Sequence, residues 1–391
     1  MYAWFVISLI LVMAINNQWQ RYMIAYAKGF VGEGDKKGDP KYEISAAYPD
    51  LNVWYGVLSG LAFTASYSVA GLFAGVISDM VNRKVFIGIV GICWSACTFG
   101  TGVINSFPLL FVFRFGLGLF ESAFNPCAYS MIADYFHPTY RGTANAILNE
   151  GIYLGGALAS LTTILIQKLG WRGTYSLIGI IGGGFAVATF LLTKEPKRGK
   201  FDKKKEVDPA APVGPKKGVC EKFGSASKEV WNSPALMLTI GAACGRFWAG
   251  YALGFFLPLY YGGVYPNYKE QYTYYNLVIH LVPGMISALA GGVIGDYYEA
   301  KGYYMAKAWV CIIGTFLGIP TVMWTCLVQN NFWWSINGLF VEYLVAECWI
   351  GPAITILINI CSPENKGTIV SVFLFFATVS GTISNALLGF L

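Results

Sequence analysis

Eight ionisable residues stand inside apolar stretches long enough to cross a membrane: Arg21, Arg114, Glu121, Glu150, Arg246, His280, Glu342 and Glu347. Each costs about 2.5–3.5 kcal/mol there on insertion scales unless it is paired or hydrated, so these residues are the first candidates for chemistry. A guanidinium fork grips phosphate or carboxylate through two hydrogen bonds. Arg21, Arg114 and Arg246 are therefore candidate ligands for an anionic headgroup, with Glu121 as the nearby acid. The plain alternative spends each arginine on a structural partner: Arg114 on Glu121, two turns along one helix face, Arg21 on a carbonyl, Arg246 on Glu342 or Glu347. Trp19, with Phe247, Trp248 and Tyr251, could flank an acyl chain or simply pack.

Three groups are candidates to take a proton during a cycle: Glu121, Glu150 and His280. Each has a structural competitor. Glu121 and Glu347 both stand five residues before a proline, Pro126 and Pro352, which suits a shared role in fixing the helix. Glu150 precedes Gly151, Gly155 and Gly156, a pattern for close helix contact and an interhelical hydrogen bond. A lone histidine in an apolar helix is more often structural. The stretch INNQWQRYMIAYA, residues 15–27, surrounds Arg21 with amides, and the residue before it is Gln20, which cannot titrate.

No bond-making constellation is present. The sequence has no glycine-rich loop ending in lysine for a nucleotide phosphate, no metal-ligand spacing and no nucleophile–histidine–acid set. Its nine cysteines form no CxxC pair, and small helix-packing roles suit them. The expectation is a protein that is not an enzyme and uses no cofactor or metal.

The elements that carry these residues are helices. Of 391 residues, 55% are hydrophobic and only 12% charged, where a soluble domain holds about 25% charged. Apolar runs of spanning length fall near 3–27, 51–78, 85–105, 108–132, 143–169, 172–193, 234–261, 273–297, 304–328, 332–357 and 366–391. That predicts an all-α polytopic membrane protein with eleven visible spans. The one long polar segment, 194–233, carries eleven Lys and Arg with several Pro and Gly, and reads as a flexible or surface-bound linker. Basic residues there and at Arg83, Lys84 and Lys301 put the N-terminus and linker on the cytoplasmic-equivalent side. The net charge of +6 is modest and does not point to nucleic acid.

An internal repeat runs through the chain at an offset near 225. Residues 121–147, ESAFNPCAYSMIADYFHPTYRGTANAI, pair with ECWIGPAITILINICSPENKGTIVSVF from 347. GVISD at 75–79 recurs as GVIGD at 292–296, and Arg21 falls 225 residues before Arg246. The chain therefore divides into a six-span half at 1–193, the linker at 194–233, and a second half at 234–391 with five spans. The twelfth is absent or lies beyond Leu391.

Two six-helix halves, a basic linker and Gly75-x3-Asp79-x3-Arg83-Lys84 after the second span resemble the major facilitator superfamily. Met80 and Asn82 replace residues usual in that loop motif. The resemblance implies a latch at the linker face, with Asp79 pairing Arg83 or Arg141, and Asp296 as the repeat's counterpart. Within the superfamily, DMVNRK (79–84), RFGLGLFESAF (114–124), GWRGTYSLIGIIGGGFAV (170–187) and AGYALGFFLPLYY (249–261) are similar to the Spinster family of sphingolipid and lysophospholipid transporters. That family has an aspartate where Gln20 stands, associated with proton coupling.

The resemblance implies a secondary transporter that moves an amphipathic organic anion by alternating access. Its partners would be a small-molecule or lipid substrate and membrane lipids. Two other readings stay open: a transport-degenerate structural subunit among partner subunits of a membrane complex, and a small phosphate or carboxylate exchanger.

Overall fold

A computed structural model describes residues 2–30, 34–136, 138–197, 219–361 and 366–390. The side chains of Gly75, Asp79 and Arg141 lie outside the described set, and so does the expected Asp79 latch. Among the described residues the regular structure is entirely helical.

In the first half, α1 is Tyr2–Gly29. Helix α2 runs through Leu51–Gly56, a π turn at Val57–Leu61, and Ala62–Met80. Helix α3 is Arg83–Val103, capped by Asn82, whose side chain accepts from the Val85 N–H at 3.1 Å. Such a cap satisfies one of the donors left open at a helix start. Helix α4 is Phe107–Glu121 continued by Phe124–Tyr135 after a short break. Helix α5 is Pro138–Ser160, and α6 is Thr162–Leu192. Within α6 the chain turns at Gly170 (φ 74, ψ 166), a backbone conformation that favours glycine. The fifth and sixth passes therefore part there, as the apolar runs ending at 169 and starting at 172 suggest.

The linker is not wholly irregular. Its last part forms α7, Val219–Asn232, which packs against the neighbouring spans. Pro234 then starts α8, Pro234–Val264, behind a Ser233 cap. Helix α9 comprises Lys269–Ile279, a π turn at His280–Gly284, and Met285–Ala300. Helix α10 is Ala306–Leu327. Helix α11 is Phe332–Ala346, a 3-10 turn at Glu347–Trp349, and Ile350–Ile360. Helix α12 is Lys366–Phe390.

The repeat seen in sequence is also a repeat of irregularities. Helices α2 and α9 each carry a π turn, and α4 and α11 each break at a glutamate, Glu121 and Glu347. The pairing is repeated too: α1 packs on α5 as α8 packs on α12, and α3 on α4 as α10 on α11. Among the described residues ten helices are long and apolar enough to cross a membrane. The eleventh pass, α5, falls outside that set because Arg141, Asn145, Asn149 and Glu150 dilute its apolar character.

The halves meet through α1 with α8, α2 with α12, and α5 with α9. Their hydrogen bonds concentrate at the face away from the linker. The Tyr55 hydroxyl donates to the Phe255 carbonyl at 2.8 Å, Asn276 donates to the Tyr26 oxygen at 2.7 Å, and Ser160 donates to the Thr273 carbonyl at 3.2 Å. Gly56 lies so close to α12 that an added Cβ would stand 2.5 Å from the Asn385 carbonyl oxygen. Nearer the middle, Ser68 and Thr378 hydroxyls join α2 to α12 at 2.7 Å. The seal is thus built on the face opposite the linker.

Candidate functional site

Helices α1, α2 and α4 bring Arg21, Arg114 and Glu121 together. Arg21 sits two-thirds along α1, and its Nε lies 3.3 Å from Oε2 of Glu121, where α4 breaks. Arg114, two turns earlier on α4, donates from Nη2 to the Arg21 carbonyl at 2.7 Å. Both guanidiniums lie over the Phe63 ring, Arg21 at 4.9 Å and Arg114 at 4.8 Å, and Arg21 also lies 4.5 Å over Tyr67. Aromatic faces attract cations, more so when water is excluded. All three charged side chains are buried.

The alternative that spends Arg114 on Glu121 is not what forms. Glu121 takes Arg21, and Arg114 donates to the backbone carbonyl of Arg21. The break at Glu121 turns the carboxylate toward α1, so seven-residue spacing on one helix does not decide its partner. Two guanidiniums then share one carboxylate. Nη2 of Arg21, Nε of Arg114 and Oε1 of Glu121 are buried without hydrogen-bond partners. Arg114 also borders a small recess with Gln20, Thr98, Leu110 and Tyr175.

Gln20 borders that recess, but its hydrogen bonds go to neither arginine. Its Nε2 donates to Asn16 at 2.7 Å and to the Ile178 carbonyl at 3.4 Å, and its Oε1 accepts from Thr98 at 2.6 Å. The amide ties α1 to α3 and α6 and uses both its donor and its acceptor. Trp19 is likewise on another side of α1, its indole N–H donating to Thr162 at 3.0 Å.

The repeat places a second cluster in the other half. Arg246 on α8 lies 3.6 Å from Glu347 and donates to the Ala346 carbonyl at 2.8 Å. It stands 5.4 Å over Trp349, as Arg21 stands over Phe63 and Tyr67. Each repeat-related arginine is thus paired within its own half. Glu342, on the same helix as Glu347, lies in electrostatic range of both Arg246 and Glu347. Glu150 reaches this region from α5 through Tyr153, which lies in range of Glu150, Glu347 and Arg246. Tyr22 on α1 stands between the clusters, in range of Glu121 and Glu347. His280 is apart from both: Nδ1 meets the Asn276 carbonyl at 2.8 Å and Nε2 the Tyr343 hydroxyl at 3.1 Å, with the ring against Gly156 of α5.

At the linker face Arg83 is a buried hub. It bonds Asp134 at 2.6 Å, Glu195 at 2.8 Å, the Ser130 hydroxyl at 2.8 Å and the Pro196 carbonyl at 3.3 Å. The Lys84 N–H donates to Glu195 at 2.9 Å, and the Lys84 amine lies 5.4 Å over Phe190. In the second half Lys307 pairs Asp296 at 3.0 Å and also Glu299. Sequence reasoning missed Lys307, although it stands 224 residues after Arg83 and so at the repeat position. It also missed Asp134, Glu195 and the Phe63 and Tyr67 platform. Aromatic residues are too common in this chain for those two rings to stand out.

Comparison with known proteins agrees with this architecture. The sequence matches the Major Facilitator Superfamily over residues 1–385. An MFS-type efflux pump of Mycolicibacterium smegmatis is 23% identical over 86% of this chain and 75% of its own. A hexuronate transporter of Bacillus subtilis is 24% identical over 84% of this chain and 77% of its own. Protein spinster of Drosophila melanogaster is 26% identical over 69% of this chain and 44% of its own. Among solved structures, a bacterial homologue of the human lysosomal transporter Spinster, inward-facing and unoccupied, superposes with a TM-score of 0.78 at 23% identity, covering all of this chain and 81% of that one. With two repeated helical halves, spans of membrane length and a match along nearly its whole length, this chain belongs to the major facilitator superfamily, a family of multi-pass membrane transporters.

Proposed function

We propose that the protein moves an amphipathic organic anion, of the lysophospholipid or sphingoid phosphate type, by alternating access of its two halves. One observation carries the reading. Two buried guanidiniums share a single carboxylate, and two of their nitrogens have no acceptor. An anionic headgroup arriving at Arg21 and Arg114 supplies both the missing charge and the missing acceptors. Glu121 changes partners as the headgroup binds and leaves. Arg246, already committed to Glu347 and Ala346, is the weaker ligand of the three. The seal opposite the linker corresponds to an opening toward the linker, which the Lys and Arg distribution assigns to the cytoplasmic-equivalent side.

A second reading, exchange of a small carboxylate, is supported by the hexuronate transporter among the relatives. Uptake into proteoliposomes separates the two, with lysophosphatidylglycerol and glucuronate as probes. Lysophosphatidylglycerol uptake that falls about ten- to a hundredfold in Arg114→Ala, the loss of one charge-assisted hydrogen bond, supports the first reading. Uptake of glucuronate alone supports the second. Transport of either probe unaffected by Arg21→Ala and Arg114→Ala sinks the site.

A further inference from the structure

The two halves share an ion pair between an arginine of the first span and a glutamate of the fourth, and differ in what each adds to it. The first half adds Arg114, whose repeat position in the second half, in the register that pairs Glu121 with Glu347, is Phe340. The second half adds Glu342, whose repeat position in the first is Gly116. The result is two guanidiniums to one carboxylate in one half, and two carboxylates to one guanidinium in the other. The second arrangement has no use in the anion site already described.

Glu342 is 2% exposed, and its Oε2 is buried with no hydrogen-bond partner. Among the described residues it makes no hydrogen bond or ion pair. Arg246 is the only charged residue of α8, and its bonds go to Glu347 and the Ala346 carbonyl. Every other element packed on this part of α11 leaves Glu342 without a cation. Helix α10 has one charged residue, Lys307, at its linker end and engaged by Asp296 and Glu299. Helix α9 brings His280, which bonds Tyr343 and Asn276. Helix α5 brings Tyr153, and α1 brings Tyr22 and Tyr26, none of them a cation. An ionised carboxylate without a partner in such a place is very costly, and two carboxylates served by one cation are most cheaply held when one carries a proton.

We propose that Glu342, backed by Arg246 and Glu347, is a proton-binding site of the second half, loaded and emptied through Glu347. The relay follows from exposure: the Glu347 side chain is 26% exposed, whereas Glu342 is 2% exposed. A proton arriving from water passes to Glu347 and then to Glu342 on the same helix. Nothing is oxidised, and no other group is transferred. The occupant is a proton and not a metal ion. The residues one turn away on the helix, Gly338, Leu339, Val345 and Ala346, offer no side-chain oxygen for a coordination shell, whereas a proton needs one oxygen. The site supplies the protonatable acid that Gln20 withholds on α1, and it puts that acid in the opposite half.

The test needs no transported substrate, so it stands or falls separately from the anion reading. Dicyclohexylcarbodiimide adds to protonated carboxyls in apolar surroundings and leaves a mass tag. The whole wild-type protein in lipid nanodiscs is labelled across a pH series and mapped by mass spectrometry. The tag is expected on Glu342 at acidic pH and lost as pH rises. Glu342→Gln loses it, and Glu342→Asp keeps a tag at the same position. Infrared difference spectra of wild-type protein across the same series should show a protonated-carboxyl band that Glu342→Gln abolishes. If Glu342→Gln does not fold, the wild-type map decides. Absence of the tag from Glu342 at every pH, with other carboxyls labelled, overturns the proposal. Protection of Glu342 by sodium at constant pH also overturns it and makes the site one for a metal cation.

Discussion

Replacing Glu121 by glutamine tests the electrostatics of the anion site most directly. At the observed 3.3 Å, a unit charge pair in an effective dielectric of about 20 attracts by roughly 5 kcal/mol. Much of that attraction is offset by desolvation of the two ions. What remains when one partner is removed is a buried, uncompensated charge, and breaking such pairs costs about 3–5 kcal/mol. Here the cost falls on two cations, since Arg114 is anchored to the Arg21 carbonyl at 2.7 Å and cannot leave with its own counter-ion. The expected loss in Glu121→Gln is therefore at the upper part of that range. An anion restores what the mutation removes. Lysophosphatidylglycerol should raise the melting temperature of Glu121→Gln by more than it raises that of the wild type, because ligand binding adds stability in proportion to the logarithm of occupancy. Thermal melts in detergent with and without the lipid measure both effects. Joint replacement, Arg21→Met with Glu121→Leu, should cost much less than the sum of the single changes. A destabilisation under about 1 kcal/mol for Glu121→Gln, or additivity in the double variant, would show that the pair is not a buried ion pair and would refute the reasoning.

Four further outcomes follow from named contacts. Gln20→Glu removes the donor to Asn16 and to the Ile178 carbonyl and buries a charge, so it should cost about 2–4 kcal/mol and add no proton-driven uptake; gain of pH-driven transport would contradict this. Arg83→Ala strands Asp134 and Glu195 at the linker face and should destabilise the fold by about 3–5 kcal/mol, read by denaturant titration. Lys307→Ala should cost less, because its partner Asp296 is 71% exposed and water can solvate it. Gly56→Val drives a side chain into the Asn385 carbonyl and the Gly389 backbone across the seal; labelling of engineered cysteines should then report greater access from the face opposite the linker.

Much of the fold was legible because a bilayer imposes a simple constraint. Spans must be apolar over a fixed length, and an unpaired charge inside one is costly. The eleven passes, the linker and the repeat all follow from that constraint and from the order of a few motif residues. The partners of the charges were less legible. Arg21 stood out by residue type, but its partner stands on another helix, 100 positions away. The pairing of Arg246 with Glu347 was one of two that the sequence left open, and the choice depends on the 3-10 turn at Glu347–Trp349. Trp19 and Gln20, adjacent to the site in sequence, point to Thr162 and Thr98 because successive residues on a helix diverge by about 100°.

The sequence by itself determined the helical class, the two repeated halves, the family resemblance and the short roster of buried charges, since each rests on residue type and order. The tertiary structure alone decided how those charges are shared: two arginines on Glu121's side, two glutamates on Arg246's side, and Gln20 on neither. Charge balance in a low dielectric is a property of side chains within a few ångströms of each other. The helices that bring them there come from distant parts of the chain, so local pattern carries no record of it.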